Sequence, residues 1–183
     1  MLDLRIVWHV VTEPELLIII AVTLLVAWPL GTVLARRNGC ARTVGVLFVV
    51  VVGAVLAATT THGSFGRPYA LDLSGIRAYL DQFADPGLIG SDLRGFGATL
   101  ERLANVGLFL PVGLVATLLW RRPLRAVAFG VALTFAVELW QAYIGRGGEL
   151  VDVLHNSVGA VLGAVIGVIW LRASTYLAMQ GTV

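Results

Sequence analysis

Residues 138–163 read E-L-W-Q-A-Y-I-G-R-G-G-E-L-V-D-V-L-H-N-S-V-G-A-V-L-G, and this stretch places ionisable side chains inside sequence apolar enough to cross a membrane. Glu138 lies near the end of an apolar segment that covers residues 124–143. An acidic side chain near the middle of a membrane helix costs about 2.5–3.5 kcal/mol on insertion scales, so it is a candidate functional group by default. The stretch therefore indicates both a membrane fold and the position of a candidate site.

The glycine-rich connection within this stretch predicts a tight reversal between two helices. Three glycines between residues 144 and 149 permit positive φ, so the flanking segments should form an antiparallel helical hairpin with Arg146 at its tip. Helical spacing places Glu138 and Gln141 on one face of the first helix. Arg146 can then reach back to the acidic residues or outward to an anionic ligand. One face of the second helix carries Asp152, Asn156, Gly159 and Gly163.

The composition of the whole chain excludes an ordinary soluble domain. Apolar residues make up 58% and charged residues 13% of the sequence, and the mean hydropathy is +0.88. Soluble domains carry about 25% charged residues, so we expect an all-α, polytopic transmembrane helical bundle. The single Cys40 excludes an internal disulfide and a thiolate metal site. The sequence predicts no cofactor, no metal and no nucleic-acid partner.

Long apolar segments predict five transmembrane helices, because about 20 apolar residues cross a hydrocarbon core of about 30 Å. We expect a single membrane domain over residues 1–183, with an interfacial lead-in over residues 1–12. A long aqueous outer loop, residues 61–102, should carry two short amphipathic helices on the membrane surface, over residues 74–83 and 91–103. The predicted spans cover residues 14–35, 43–60, 103–120, 124–143 and 150–171.

Arginines in the short connections predict the orientation of the chain. They follow the first, third and fifth predicted spans, and by the positive-inside rule their side of the membrane is cytoplasmic. The long loop and the Arg146 turn then face outward, with the N-terminus outside and the C-terminus cytoplasmic. We expect a multi-pass protein of the cell membrane. The arginines concerned are Arg36, Arg37, Arg42, Arg121, Arg122, Arg125 and Arg172.

This topology brings polar residues of three spans to the depth of the outer leaflet. The glycines of the fifth span have small-xxx-small spacing, which lets helix backbones approach closely below these polar groups. The predicted structural residues are Pro111, Gly113, Gly159 and Gly163. The predicted ligand-binding residues are Asn105, Glu138, Gln141, Arg146, Glu149, Asp152 and Asn156.

Two sequence blocks carry a family resemblance. Residues 105–113 read N-V-G-L-F-L-P-V-G, and E-x-x-Q follows at Glu138 and Gln141. Residues 146–163 then read R-x-x-E-x-x-D-x-x-x-N-x-x-G-x-x-x-G. Together these blocks resemble the VanZ-like family of membrane proteins, in which Asp is commoner at the position of Glu149. The resemblance covers roughly the C-terminal half of the chain.

The resemblance implies an envelope protein, since the namesake of the family is associated with low-level resistance to teicoplanin. That glycopeptide antibiotic binds the termini of cell-wall precursors. A polar site at the outer leaflet would fit a role beside lipid-linked precursors, but family membership alone does not assign resistance. The implied partners are membrane lipids and a lipid-linked cell-wall precursor or a glycopeptide.

Two classes of function and one structural alternative remain open. In the first class, the protein binds or shields an anionic lipid-linked or peptidoglycan-precursor group, with Arg146 as the anion contact. In the second, it is an intramembrane enzyme that modifies an envelope lipid, with Glu138, Asp152 or His155 as the acid or base. In the structural alternative, the polar groups only bond helices to one another, and function resides in the outer loop.

The absence of familiar catalytic motifs favours the first class. The sequence has no serine nucleophile elbow and no phosphate-binding P-loop. Glu138, Glu149, Asp152 and His155 lack the compact spacing that prearranges metal ligands. We therefore expect binding rather than catalysis.

Overall fold

The computed structural model describes residues 14–60, 73–95 and 99–180, and every regular element in these ranges is helical. The elements are α1 (Pro14–Asn38), α2 (Arg42–Thr60), α3 (Leu73–Asp81), a 3₁₀ turn (Gln82–Ala84), α4 (Pro86–Arg94), α5 (Leu100–Trp120), α6 (Pro123–Tyr143) and α7 (Leu150–Gln180). Five of them, α1, α2, α5, α6 and α7, are long and apolar enough to cross a membrane. The predicted all-α membrane bundle with five spans is confirmed.

The spans differ from the prediction mainly in length. Helix α5 begins at Leu100 rather than at residue 103, because the Thr99 side chain caps it and accepts a hydrogen bond from the Arg102 N–H at 3.3 Å. Helix α7 continues to Gln180, whereas we expected the last span to end near residue 171. The predicted lead-in, residues 1–12, lies outside the described residues.

One of the two helices predicted in the long loop has the wrong bounds. Helix α3 and the 3₁₀ turn together cover the predicted segment 74–83. The other helix begins at Pro86 and not at residue 91, because Asp85 caps it. The Asp85 carboxylate accepts hydrogen bonds from the N–H groups of Gly87 and Leu88, at 2.8 and 3.1 Å. Helix α4 ends before Gly95, and the last residues of the predicted segment belong to α5.

Among the described helices, α5 and α7 have the most extensive contact, and glycines lie in it. A Cβ atom on Gly159 would collide with the Val106 carbonyl oxygen, and one on Gly163 would collide with that of Leu110. On α5, Gly113 lies in the same way against Ala160 of α7. Backbones this close gain dispersion contacts that do not depend on a hydrophobic driving force, which lipid does not supply.

The hairpin between α6 and α7 has the predicted glycine geometry. Gly145 and Gly147 have φ values of +78° and +77°, which confirms the expected positive φ at these two positions. Gly148 lies against the Glu138 carbonyl oxygen, where a Cβ atom would collide with it. The turn therefore folds back onto the end of α6 and carries the start of α7 close to Glu138.

The two ends of the bundle differ in charge. At one end the α1–α2 loop lies beside the α5–α6 loop, since Cys40 of the first is close to Arg121 of the second. Burial raises the pKa of the Cys40 thiol, and the positive charge of the Arg121 guanidinium opposes that effect. Arg125 at the start of α6 stacks over the Trp120 ring, 4.8 Å from its centroid. The opposite end holds the last turn of α2, the hairpin turn and the first turns of α5 and α7.

Candidate functional site

A cavity of about 410 Å³ lies at the end of the bundle opposite the arginine-rich loops. Helices α2, α5, α6 and α7 and the hairpin turn surround it. It contains all seven side chains that the sequence predicted as ligand-binding. We call the following residues the cavity wall: Ala58, Thr59, Glu101, Ala104, Asn105, Leu108, Glu138, Gln141, Arg146, Gly147, Glu149, Asp152 and Asn156.

Glu138 is the most deeply placed acidic residue of the cavity wall. Its side chain is 2% exposed, and its Oε2 accepts a hydrogen bond from the Glu149 N–H at 3.1 Å. Glu149 directly precedes α7, so the carboxylate lies near the N-terminal end of that helix, where the helix dipole favours negative charge. Glu138 thus joins α6 to the start of α7.

Gln141 and Arg146 converge on the last turn of α2. The Gln141 Nε2 and the Arg146 Nη1 each donate a hydrogen bond to the Thr59 carbonyl oxygen, both at 2.9 Å. The last carbonyl groups of a helix lack partners within the helix, and a cation is favourable beside them. This contact was not predicted. Arg146 remains exposed at the rim of the cavity, and its charge also attracts the Glu138 carboxylate.

The α5 side of the cavity contributes an amide and a further acid. Asn105 donates a hydrogen bond to the half-buried Asp152 of α7. Glu101, exposed one turn earlier on α5, and Glu149 at the turn are both close enough to repel the Asp152 carboxylate. Carboxylates from three separate segments of the chain therefore face the same space.

Asn156 closes the inner end of the cavity. Its side chain is 2% exposed, and its Nδ2 donates a hydrogen bond to the Thr134 hydroxyl of α6 at 2.8 Å. Its Oδ1 is buried and has no hydrogen-bond partner among the residues that the structure describes. Thr134 was not predicted, because a single threonine in an apolar span carries no local signal.

His155 lies outside the cavity wall, although it follows Asp152 by three residues. Its ring is fully buried, and its Nδ1 is 2.7 Å from the Val151 carbonyl oxygen on the same helix. Among residues 14–60, 73–95 and 99–180, no three His, Cys, Asp or Glu side chains come close enough together to hold a metal ion.

Helix α3 and the 3₁₀ turn support the site from outside the bundle. The Gln82 Nε2 donates to the Gly148 carbonyl oxygen and its Oε1 accepts from the Leu150 N–H, both at 2.9 Å. Tyr79 is buried against Ala142 and Val153. Burial raises the pKa of the Tyr79 hydroxyl above its usual range, and the nearby Glu138 carboxylate adds to this effect.

These two supporting residues were missed by sequence reasoning. Gln82 forms hydrogen bonds to residues more than 60 positions away in the chain. The spacing of residues within a loop does not reveal such contacts. For Tyr79, the only available signal was an aromatic residue on the apolar face of a short amphipathic segment.

The family assignment follows from a match that covers most of the chain. The family model described as VanZ/LLP1 matches residues 16–171, which include the cavity wall, the second span and nearly all of the first. The chain belongs to the VanZ/LLP1 family. The VanZ/LLP1 match therefore extends into the N-terminal half, where the motifs alone carried no resemblance. Neither a curated protein nor a solved structure shows significant similarity to the chain.

Proposed function

We propose that this VanZ/LLP1 protein binds or shields an anionic lipid-linked or peptidoglycan-precursor group in the cavity, at the outer leaflet of the cell membrane. The observation that carries the proposal is the gathering of seven polar side chains from α5, α6, α7 and their hairpin around one cavity. Polar side chains within membrane-spanning segments are costly and tend to mark binding sites or ion pathways. By this proposal the protein reduces access of a glycopeptide such as teicoplanin to the group it shields.

The distribution of arginines between the two ends of the bundle supports an outward-facing cavity. The α1–α2 and α5–α6 loops lie at the end opposite the cavity, and these short connections carry a concentration of arginines. By the positive-inside rule the basic end is cytoplasmic. The cavity then lies at the level of the outer headgroups, with the C-terminus in the cytoplasm and the N-terminus outside.

Arg146 is the proposed contact for the anionic part of the ligand. It is exposed, it lies on the rim of the cavity, and a planar guanidinium recognises phosphate or carboxylate oxygens in a bidentate manner. Ala58 and Ala104, also exposed in the cavity wall, offer apolar surface beside it for the start of an acyl or prenyl chain.

The test is mass spectrometry of lipids that copurify with the protein in mild detergent. Lipids or lipid-linked precursors that carry an anionic group should be enriched on the wild type. Arg146→Ala should reduce that enrichment about tenfold or more, the factor expected for one lost charge-assisted hydrogen bond. Arg146→Lys should give an intermediate enrichment, because lysine keeps the charge and lacks the planar guanidinium that binds two oxygen atoms at once.

Arg122→Ala is the matched control, since Arg122 is exposed at the opposite end and makes no side-chain capping bond. Equal enrichment on wild-type and Arg146→Ala protein of equal stability would refute the proposal. The same assay addresses catalysis. If the purified protein changes the mass of an added envelope lipid, and both Glu138→Gln and Asp152→Asn abolish that change, the protein is an enzyme.

A further inference from the structure

The charge of the cavity wall does not match a ligand that is only an anion. Within the part of the chain that the structure describes, the wall contains four acidic side chains, Glu101, Glu138, Glu149 and Asp152, against the single base Arg146. A site for a purely anionic group would be expected to show the opposite balance. The excess of acidic side chains therefore favours a ligand that has a positive or hydrogen-bond-donating part.

The inner part of the cavity presents hydrogen-bond acceptors. Asn156 lines the cavity and is 2% exposed, and its Oδ1 has no hydrogen-bond partner among the described residues. Buried polar atoms without a partner are rare and call for an explanation such as a bound group. Asp152 lies one helical turn away from Asn156 on α7 and lines the same cavity. Both positions offer oxygen atoms to a donor.

Glu138 completes this group from the facing helix. Its carboxylate accepts one hydrogen bond from the Glu149 N–H, and a carboxylate has about four acceptor positions. The exposed Arg146, in contrast, lies at the rim. The buried end of the cavity thus offers acceptors, whereas Arg146, the one cation of the wall among the described residues, lies at the exposed end, which it shares with Glu101 and Glu149. This order of charges is complementary to a zwitterion that enters with its positive end first.

We propose that the cavity selects a ligand that carries a protonated amine and a phosphate a few atoms apart. The amine donates hydrogen bonds to Glu138, Asp152 and Asn156, and the phosphate remains at the rim beside Arg146. This inference rests on the proposed function and deepens it, because it names the chemistry of the headgroup. Aminophospholipids and soluble aminophosphates share this chemistry.

The test is a binding titration of the purified full chain in detergent with two matched pairs of probes. O-phosphoethanolamine is compared with glycerol 3-phosphate, and dihexanoyl phosphatidylethanolamine with dihexanoyl phosphatidylglycerol. Each pair keeps the phosphate and exchanges the amine for hydroxyl groups. The amine member should bind at least about tenfold more tightly, the factor that one charge-assisted hydrogen bond supplies. Preference in both pairs means that the headgroup suffices, and preference only in the second means that the ligand is a lipid.

Three variants test the residues that carry the inference. Asp152→Asn and Asn156→Leu should lower the affinity for the amine probes about tenfold relative to the affinity for the hydroxyl probes. Glu101→Gln should act in the same direction by a smaller factor, and because Glu101 is exposed this variant avoids a folding defect. The control is Asp81→Asn, which neutralises an exposed acid outside the cavity wall.

The outcomes separate the two proposals. If the hydroxyl probes bind as tightly as the amine probes and Arg146→Ala weakens both, the amine inference fails and the proposed anion site stands. If the amine preference is unchanged in Asp152→Asn and Glu101→Gln, the carboxylates do not select the ligand and the inference is overturned. If none of the four probes binds, both the amine inference and a phosphate-bearing ligand are refuted.

Discussion

Among single residues, Glu138 connects the most parts of the site. Its side chain is 2% exposed, it accepts the Glu149 N–H, and it is attracted by Arg146. A buried carboxylate is strongly unfavourable unless such partners compensate for lost hydration. The hairpin supplies these partners, so the position of the turn and the burial of Glu138 depend on each other.

Two replacements of Glu138 should distinguish the effect of its hydrogen bond on stability from the effect of its charge. Glu138→Ala leaves the Glu149 N–H without its acceptor and should lower the free energy of unfolding by about 1–3 kcal/mol. Glu138→Gln keeps an acceptor oxygen and buries an amide in place of a charge, so it should be at least as stable as the wild type. Thermal unfolding in detergent measures both changes.

A suitable control for this comparison is Val131→Ala, on the same helix at an exposed position, which should alter stability little. Equal destabilisation by Glu138→Gln and Glu138→Ala would show that the negative charge itself stabilises the fold. The assignment of the Glu149 hydrogen bond as the main structural role would then be wrong.

At the scale of elements, the close approach of α5 and α7 fixes where their polar residues meet. Gly159 and Gly163 lie about one and two turns below Asn156 on α7, against the α5 backbone. Any increase in the separation of the two helices would also separate Asn105 from Asp152. The glycine contact is therefore a precondition for the geometry of the cavity.

A matched pair of glycine substitutions tests this contact. Gly163→Ala should lower the free energy of unfolding by about 1–3 kcal/mol, because its Cβ atom would collide with the Leu110 carbonyl oxygen. Gly107→Ala adds the same methyl group to α5, where no atom outside its own turn lies within 4 Å. That change should be neutral or stabilise by up to about 1 kcal/mol, since alanine favours helix. Similar stabilities of the two variants would contradict close packing of α5 on α7.

The 3₁₀ turn holds the hairpin through one side chain. Gln82→Ala removes two hydrogen bonds, to Gly148 and Leu150 where the turn meets α7, and should lower the free energy of unfolding by about 1–3 kcal/mol. Gln82→Glu keeps the acceptor for the Leu150 N–H and loses the donor to Gly148, so its effect should be intermediate. Limited trypsin digestion gives a local measurement, because cleavage after Arg146 should become faster in the same order.

The neighbouring Asp81→Ala serves as the control for the hairpin, since Asp81 is exposed and makes no capping bond. Unchanged cleavage after Arg146 in Gln82→Ala would mean that the turn is rigid without the 3₁₀ segment. In that case α3 would not support the site.

For the whole molecule, local sequence signals predicted the spans and which polar residues lie together. The length of the apolar runs decides whether a helix crosses a membrane, and helical spacing decides which polar residues share a face, so both could be read directly. Asn105, Glu138 and Asp152 were placed together on this basis, and they line one cavity.

Contacts between distant segments could not be read in this way. The Thr59 carbonyl oxygen accepts hydrogen bonds from Gln141 and Arg146, which lie 82 and 87 residues away in the chain. It is a backbone atom that any residue would supply. Gln82 and Tyr79 depend likewise on how α3 packs against α6. Contacts of this kind depend on tertiary packing, which the spacing of residues within one segment does not specify. The start of α4 was missed for a local reason, because the Asp85 cap was not recognised.

We expect an orientation in which the cavity opens to the outside and the arginine-rich loops face the cytoplasm. Labelling of single cysteines with a membrane-impermeant maleimide tests it most directly, in a Cys40→Ala background. Ala104→Cys lies in the cavity wall and Ala41→Cys in the α1–α2 loop, and both positions are exposed. Ala104→Cys should react in intact cells and Ala41→Cys only after permeabilisation. The reverse pattern would refute this orientation, because the cavity would then face the cytoplasm.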